Sequence, residues 1–330
     1  MASIGNRFTS EQLKKIDDTF QSEEVKKFIN NHPKLTEAQA VERLKGKGIK
    51  FNIMSKEEAI IRLKTNTYLF KIGVYRLNYN KDSSGKYIDL DFAYMDDLAI
   101  LDMRFRRIML DMSLNLEHAL KTLVQSNVTK EKHEDGYSIV KEFELNKNFN
   151  VSDVFGKYSK EKHYLYNVSS KHSKAPSIWV LLEIMSFGDL SKFIEFYYNR
   201  TRIQKYKFKL PSRLIRYAKN VRNAAAHNNP LLVNLNKGRN ISPDPKIMQI
   251  NAEIGIDEYI CRKPKINDIL CLFYLHDLSC SDGVKKHLIS ELKGFQSRAK
   301  RNNLYYEKNE HLLKMYETLG LLIDYYEKKC

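Results

Sequence analysis

Residues 96–124 read "DDLAILDMRFRRIMLDMSLNLEHALKTLV". Leu101, Phe105, Ile108, Met112, Leu116, Leu120 and Leu123 recur there at steps of three and four, one apolar stripe through about seven turns of helix. A stripe of that length predicts a long amphipathic helix that packs into a core. The rest of the chain suits such a centre. Its 330 residues suffice to bury a large core, 42% are hydrophobic and 11% aromatic, and only 13 glycines and 7 prolines interrupt it. Scarce punctuation favours long helices over many short strands.

Toward the N-terminus the signals are those of short helices. Residues 10–30 read as one polar helix opened by Ser10. Thr36 with Gln39, and Ser55 with Glu58, have the three-residue spacing of capping boxes. Leu35, Val41 and Leu44 give the first of these helices its apolar side, and Gly46 and Gly48 stop it. Residues 74–92, "VYRLNYNKDSSGKYIDLDF", change period: Tyr75, Leu77 and Tyr79 alternate with polar residues, as Tyr87, Ile88, Leu90 and Phe92 do less strictly. With "KDSSGK" between the two runs, the pattern predicts a β-hairpin. Beyond the long helix, the charged, turn-rich residues 128–148 read as an exposed excursion. A helix is expected from Ile178 to about Asn199, with Trp179, Leu182, Met185, Phe193, Ile194 and Tyr197 facing in. Another starts at Pro211-Ser212, and further helices occupy 266–279, 284–298 and 304–328. The expected fold is mainly α: an N-terminal helical region with a hairpin over residues 1–95, then a helical bundle over 96–330.

Lys and Arg number 56 against 40 Asp and Glu, a net charge of +16, and the isoelectric point is near 9.4. The excess recurs at 104–107, 200–209, 213–222 and 293–301 rather than in one tail. Charge of this size concentrates polyanions, nucleic acid above all. No apolar run approaches about 18 residues, and no apolar block opens the chain, so a cytoplasmic protein without a membrane partner is expected. Cys261, Cys271, Cys280 and Cys330 form no C-x-x-C pair and have no histidine at zinc-ligand spacing. They read as buried free thiols, with no metal and no cofactor expected.

"VRNAAAHNNP", residues 221–230, is the one stretch that concentrates chemistry. With 16 arginines and 9 histidines in the chain, about one Arg–His pair at such spacing arises by chance, so the pair has meaning only through its context. Leu214, Ala218, Val221 and Ala225 form a buried stripe, and Pro230 ends the helix near His227. Asn223 and His227 are four apart and share a face, and Arg222 can reach toward it. Arg213, Arg216 and Lys219 on the preceding turns could hold RNA phosphate. The plain alternative is an ordinary polar helix end, with His227 at the negative pole and Asn228 as its cap.

Wider blocks give that context. "KLTEAQAVERLKGKGI" with "EEAIIRLKTNTYLFKIGVYRL" resembles the opening of the bacterial abortive-infection (Abi) proteins of the AbiD/AbiF type, although "NTYLF" stands where the family shows paired tyrosines. Leu98, Asp102, Phe105 and Arg106, followed by Glu117, are similar to its long helix. Pro176, Trp179, Glu183, Ser186, Phe187, Gly188, Leu190 and Ser191 are similar to a further block, and Arg222, Asn223 and His227 to its R-N-x-x-x-H block. The four blocks span residues 34–232; nothing after 240 is covered.

The Abi group in turn resembles a branch of the HEPN superfamily of helical RNA-cleaving domains, and its motif helices are similar to those of type VI CRISPR effectors. That resemblance implies a HEPN-like bundle in which Arg222 and His227 are the catalytic pair and Asn223 accompanies them. Histidine is the side chain suited to take a proton from a ribose 2′-hydroxyl at neutral pH. An arginine fork suits the charge that develops on phosphorus. One motif supplies one base and one cation, so the resemblance implies a composite site across a homodimer. The function expected is a metal-independent antiphage endoribonuclease. The alternatives are a protein that holds a structured non-coding RNA without cutting it, and a protein-interaction or nucleotide-transferase-associated HEPN, inert by itself.

Overall fold

In the computed structural model, which describes residues 9–147, 149–235 and 237–330, the helix-start signals are filled as their residue types dictate. Thr36 Oγ1 accepts the Gln39 amide at 3.3 Å and Gln39 Oε1 accepts the Thr36 amide at 2.9 Å; Ser55 and Glu58 repeat the exchange at 3.1 and 2.8 Å. Among the described residues the chain forms 17 α-helices and no strand. It divides into two compact units, one of residues 1–71 and 81–92, the other of residues 72–80 and 93–330.

The first unit holds α1 (Ser10–Thr19), α2 (Glu23–Asn31), α3 (Glu37–Gly46), α4 (Lys56–Thr65) and the start of α5 (Leu69–Gly73). The single polar helix expected over 10–30 is two helices. Thr9, not Ser10, caps the first by exchanging hydrogen bonds with Gln12, and Ser22 caps the second through the Val25 amide at 3.2 Å. Helix α2 buries no residue, so no continuous apolar stripe holds the two together. Helices α3 and α4 pack through Ala40, Val41, Leu44, Ala59 and Leu63; Leu35 stays half-exposed.

The expected β-hairpin is absent. Val74–Asn78 is a 3-10 turn instead, with Tyr75 fully buried. Residues 81–92 run back beside 47–50: the Tyr87 amide donates to Lys47 O at 2.9 Å, and Lys50 and Asp91 form a single parallel bridge. Of the hairpin only one bridge survives, Lys81 to Tyr87, closing a turn organised by Asp82. Two strands without a third gain little in water, whereas Tyr75 gains complete burial by leaving the ladder. Gly48 makes the close approach feasible: its φ is +86°, and a Cβ there would lie 2.9 Å from that of Lys86.

The second unit is built on α6 (Phe92–Lys130). Its stripe is buried as read from Leu101 to Leu120, then continues at Val124 and Val128 rather than at the half-exposed Leu123. There follow α7 (Ser138–Lys147), α8 (Val151–Gly156), α9 (Tyr166–His172), α10 (Ile178–Ile184), α11 (Phe187–Arg200) and α12 (Tyr206–Ala226). The series ends with α13 (Pro245–Ile254), α14 (Glu258–Cys261), α15 (Pro264–Ser279), α16 (Asp282–Lys300) and α17 (Glu310–Glu327). Helix α12 packs along both α11 and α15, and α15 is buried from Ile269 through His276.

Three expectations change here. Residues 128–147 are no exposed excursion, Asn148 lying outside the described residues: α7 buries Ile139, Val140 and Phe143, and the Phe143 ring meets Phe193 edge-on at 5.1 Å. The charges that disguised this segment are taken up by Arg200, which pairs with Glu134 at 2.6 Å and Glu142 at 2.7 Å. Gly136, at φ +75°, lies under Trp179, whose indole a Cβ would strike. The helix expected over 178–199 breaks at Met185, because Ser186 accepts the Asp189 amide at 3.2 Å and starts α11 afresh. Helix α12 begins five residues before Pro211, which sits inside it.

Candidate active site

Helix α12 sets its site by facing. Phe208, Leu214, Ile215, Ala218, Val221 and Ala225 are buried. At about 100° per residue, Arg216, Asn223 and His227 fall on the opposite side, and all three are exposed. The helix ends in a Schellman motif. The Asn228 amide donates to Ala225 O at 3.1 Å and the Asn229 amide to Ala224 O at 2.8 Å, with Asn228 left-handed at φ +56°. Asparagine takes the place that glycine commonly fills, and Pro230 stops any continuation. His227 is therefore the last residue before the chain turns, presented at a defined end rather than on a fraying one.

Arg222 and Asn223 touch, Nη1 to Oδ1 at 3.5 Å. Arg222 is half-buried and its Nε is shielded from solvent with no partner among the described residues. His227 stands one turn on, its amide bonded to Asn223 O at 3.0 Å; among the described residues no hydrogen bond joins its ring to either neighbour. The three flanking cations differ. Arg213 pairs with Asp244, the residue that caps α13, so its charge is already met. Arg216 lies over the Tyr217 ring at 4.7 Å and donates to its hydroxyl at 2.7 Å. Neither Arg216 nor Lys219 has a carboxylate partner among the described residues. Residues 196–243 contain eleven Lys and Arg and no Asp or Glu.

What holds the helix end in place was not assigned from the sequence. Leu231, Leu232, Val233 and Leu235, immediately beyond the motif, are all buried, and buried backbone needs partners. Three side chains distant in sequence supply them. Asp102 of α6, wholly buried, accepts the amides of Leu231 and Leu232 through Oδ1 at 2.8 and 2.6 Å. Asn78 donates to Leu232 O at 2.8 Å and accepts the Asn234 amide at 3.0 Å. Lys265 of α15 donates to Val233 O at 2.6 Å and Pro230 O at 3.3 Å. The other oxygen of Asp102 accepts the Tyr75 hydroxyl at 2.8 Å and pairs with Arg106. Burial pushes the Tyr75 phenol up to about 12 and draws the Arg106 and Lys265 cations below their ordinary values. A carboxylate set inside an apolar helix stripe, four residues from an arginine, was the available signal.

A second group escaped the sequence. Asp268 of α15 accepts from Asn220 of α12 at 3.1 Å, and burial raises its carboxyl to about 6. Nothing in the spacing of the chain marks it. Among the described residues no cluster of three or more His, Cys, Asp or Glu could hold a metal ion, and no helix is long and apolar enough to cross a membrane.

A family model described as "Abi-like protein" matches residues 62–233. The chain belongs to the Abi-like family. The match ends in the buried segment that Asp102, Asn78 and Lys265 hold, so the Abi-like region carries α6, the Ser186 turn, the motif helix, Asn78 and Asp102, while Lys265 lies beyond it. Membership points to abortive infection, the antiphage response for which the family is named. No curated protein and no solved structure matches the chain.

Proposed function

We propose that this Abi-like protein is a metal-independent endoribonuclease of HEPN type, acting in abortive infection. The observation that best supports the reading is the exposed end of α12: Asn223 and His227 face solvent at a helix terminus whose following segment is tied down by a buried carboxylate. Catalytic groups gain from being held on rigid elements. In this reading His227 takes the proton of a ribose 2′-hydroxyl, whose oxygen attacks the adjacent phosphorus. Arg222 places N–H donors on the phosphorane oxygens as charge gathers there. The P–O5′ bond breaks, the leaving oxygen takes a proton from the histidine of a second copy, and a 2′,3′-cyclic phosphate remains. Asn223, one turn from His227, orients the imidazole, while Arg216 and Lys219 meet flanking phosphates.

The test is cleavage of RNA by purified protein in excess chelator. His227→Ala is expected to abolish cutting while RNA affinity stays within about twofold. Products ending in 3′-hydroxyls would refute 2′-hydroxyl attack, and a monomer that cuts would refute the two-copy site.

The acid-free stretch 196–243 favours one other reading, a protein that holds a structured non-coding RNA without cutting it. A discrete RNA that co-purifies intact with wild-type and His227→Ala protein alike would decide for it.

A further inference from the structure

Away from the motif helix, the second unit contains a hollow of about 440 Å³ between α6, α16 and α17. Leu98, Leu101, Phe295, Leu312, Met315 and Leu319 form its walls. Small-molecule sites commonly span about 300–1,000 Å³, with mainly apolar walls and a few placed polar groups. Water is poorly suited to this hollow, since each molecule seeks two to four polar partners and the walls offer few. Displacing weakly held water by an apolar group favours binding.

The polar groups at the hollow indicate what its occupant carries. Arg298, one helical turn before Asn302, is paired with Asp97, which also accepts from Asn302 at 2.9 Å and from Tyr306 at 2.6 Å. Both Asp97 oxygens are thereby engaged, while Arg298 Nη1 is shielded from solvent with no partner among the described residues. Lys300 is the one charged residue lining the hollow, it is exposed, and among the described residues it has no carboxylate partner. Asn303 and Tyr316, whose side chains carry donors, also line it.

We propose that this hollow is a binding site for a single-chain anionic amphiphile, its alkyl chain among the leucines and its carboxylate at Lys300. Occupancy bears on the motif region through Leu232, a residue that lines the hollow and whose amide is held by Asp102. The proposal does not depend on the nuclease reading.

The experiment is calorimetric titration of the full chain with octanoate, decanoate and dodecanoate below their micelle concentrations. Saturable binding at one site per chain is expected, tightening about fourfold for each added methylene. Dodecylammonium should bind at least tenfold more weakly than dodecanoate, and Lys300→Glu should reverse that order. Ala299→Trp fills the hollow and should remove binding. Leu313→Trp, at the half-open rim, gives the same reading if the first variant does not fold. Absence of saturation, equal affinity for both head groups, or undiminished binding by folded filled variants would each overturn the proposal. So would self-association that the filled variants abolish, because a second copy would then occupy the hollow.

Discussion

Asp102 and Leu231 are 129 residues apart in the chain, and the carboxylate of the first accepts the backbone amide of the second at 2.8 Å. This bond ties the first third of the longest helix to the segment that leaves the R-N-x-x-x-H motif. The pattern Leu98-x-x-x-Asp102-x-x-Phe105-Arg106 thereby acquires a physical role. Leu98 and Phe105 are core, while Asp102 and Arg106 form the buried pair that anchors the neighbouring loop.

The pair is expected to behave as one unit. Asp102→Ala leaves the Arg106 cation buried and two amides unmet, and should cost about 3–5 kcal/mol in urea unfolding. Arg106→Ala should cost a similar amount. The double variant should lose clearly less than the two single losses added, since neither partner is then stranded. Additive losses would mean that the two residues act separately.

Asn228 adopts a left-handed conformation that most residues resist. Asn228→Ala should lower stability by about 1 kcal/mol, and Asn228→Gly should be tolerated. Thermal melts of both variants, with RNA cleavage assayed beside them, check whether the helix end also matters for activity.

The cations of α12 should not contribute equally to RNA binding. Arg216→Ala and Lys219→Ala are each expected to reduce the slope of log affinity against log salt by about one. Arg213→Ala should leave the slope nearly unchanged, because Asp244 already balances that charge. Fluorescence anisotropy over a salt series makes the comparison. An equal change at Arg213 would place RNA where Asp244 now sits.

Two groups on α15 should give opposite pH dependences of stability. His276, fully buried, is held down to about 4 by burial first and by Lys285 second. The unfolded chain, near 6.5, takes up its proton earlier, so this contribution is full above pH 6.5 and is lost as pH falls toward 4. His276→Gln should flatten the stability curve across that window. Measured unfolding free energies that keep the wild-type slope would exclude His276 as its source.

Asp268 runs the other way. Its raised value, about 6 against 3.8, means the folded chain keeps the proton longer. Stability from this group is full below about pH 4 and lost as pH rises through 6. Asp268→Asn should therefore gain about 1–3 kcal/mol over wild type at pH 7–8 and little at pH 4. Chemical denaturation at the two pH values measures the difference.

Local chemistry was legible along the chain wherever neighbours in sequence are also the interacting partners. The capping boxes at Thr36 and Ser55, the α6 stripe and the buried face of α12 depend on contacts within one or two turns, so period and residue type suffice to read them. The end of α12 at His227 was legible for the same reason, from Pro230 and the asparagines before it.

Segments whose partners lie far away were misread or unassigned. Tyr75 alternates like a strand residue, yet Asp102 draws it into the second unit. Residues 128–147 looked solvated because Glu131, Glu134 and Glu142 answer Arg200, some sixty to seventy positions on. Asp102, Asn78 and Lys265 converge on the loop after the motif from three separate stretches of chain. Backbone polar groups entering a core must find partners, and which side chains supply them follows from packing in space, which no spacing along the chain encodes.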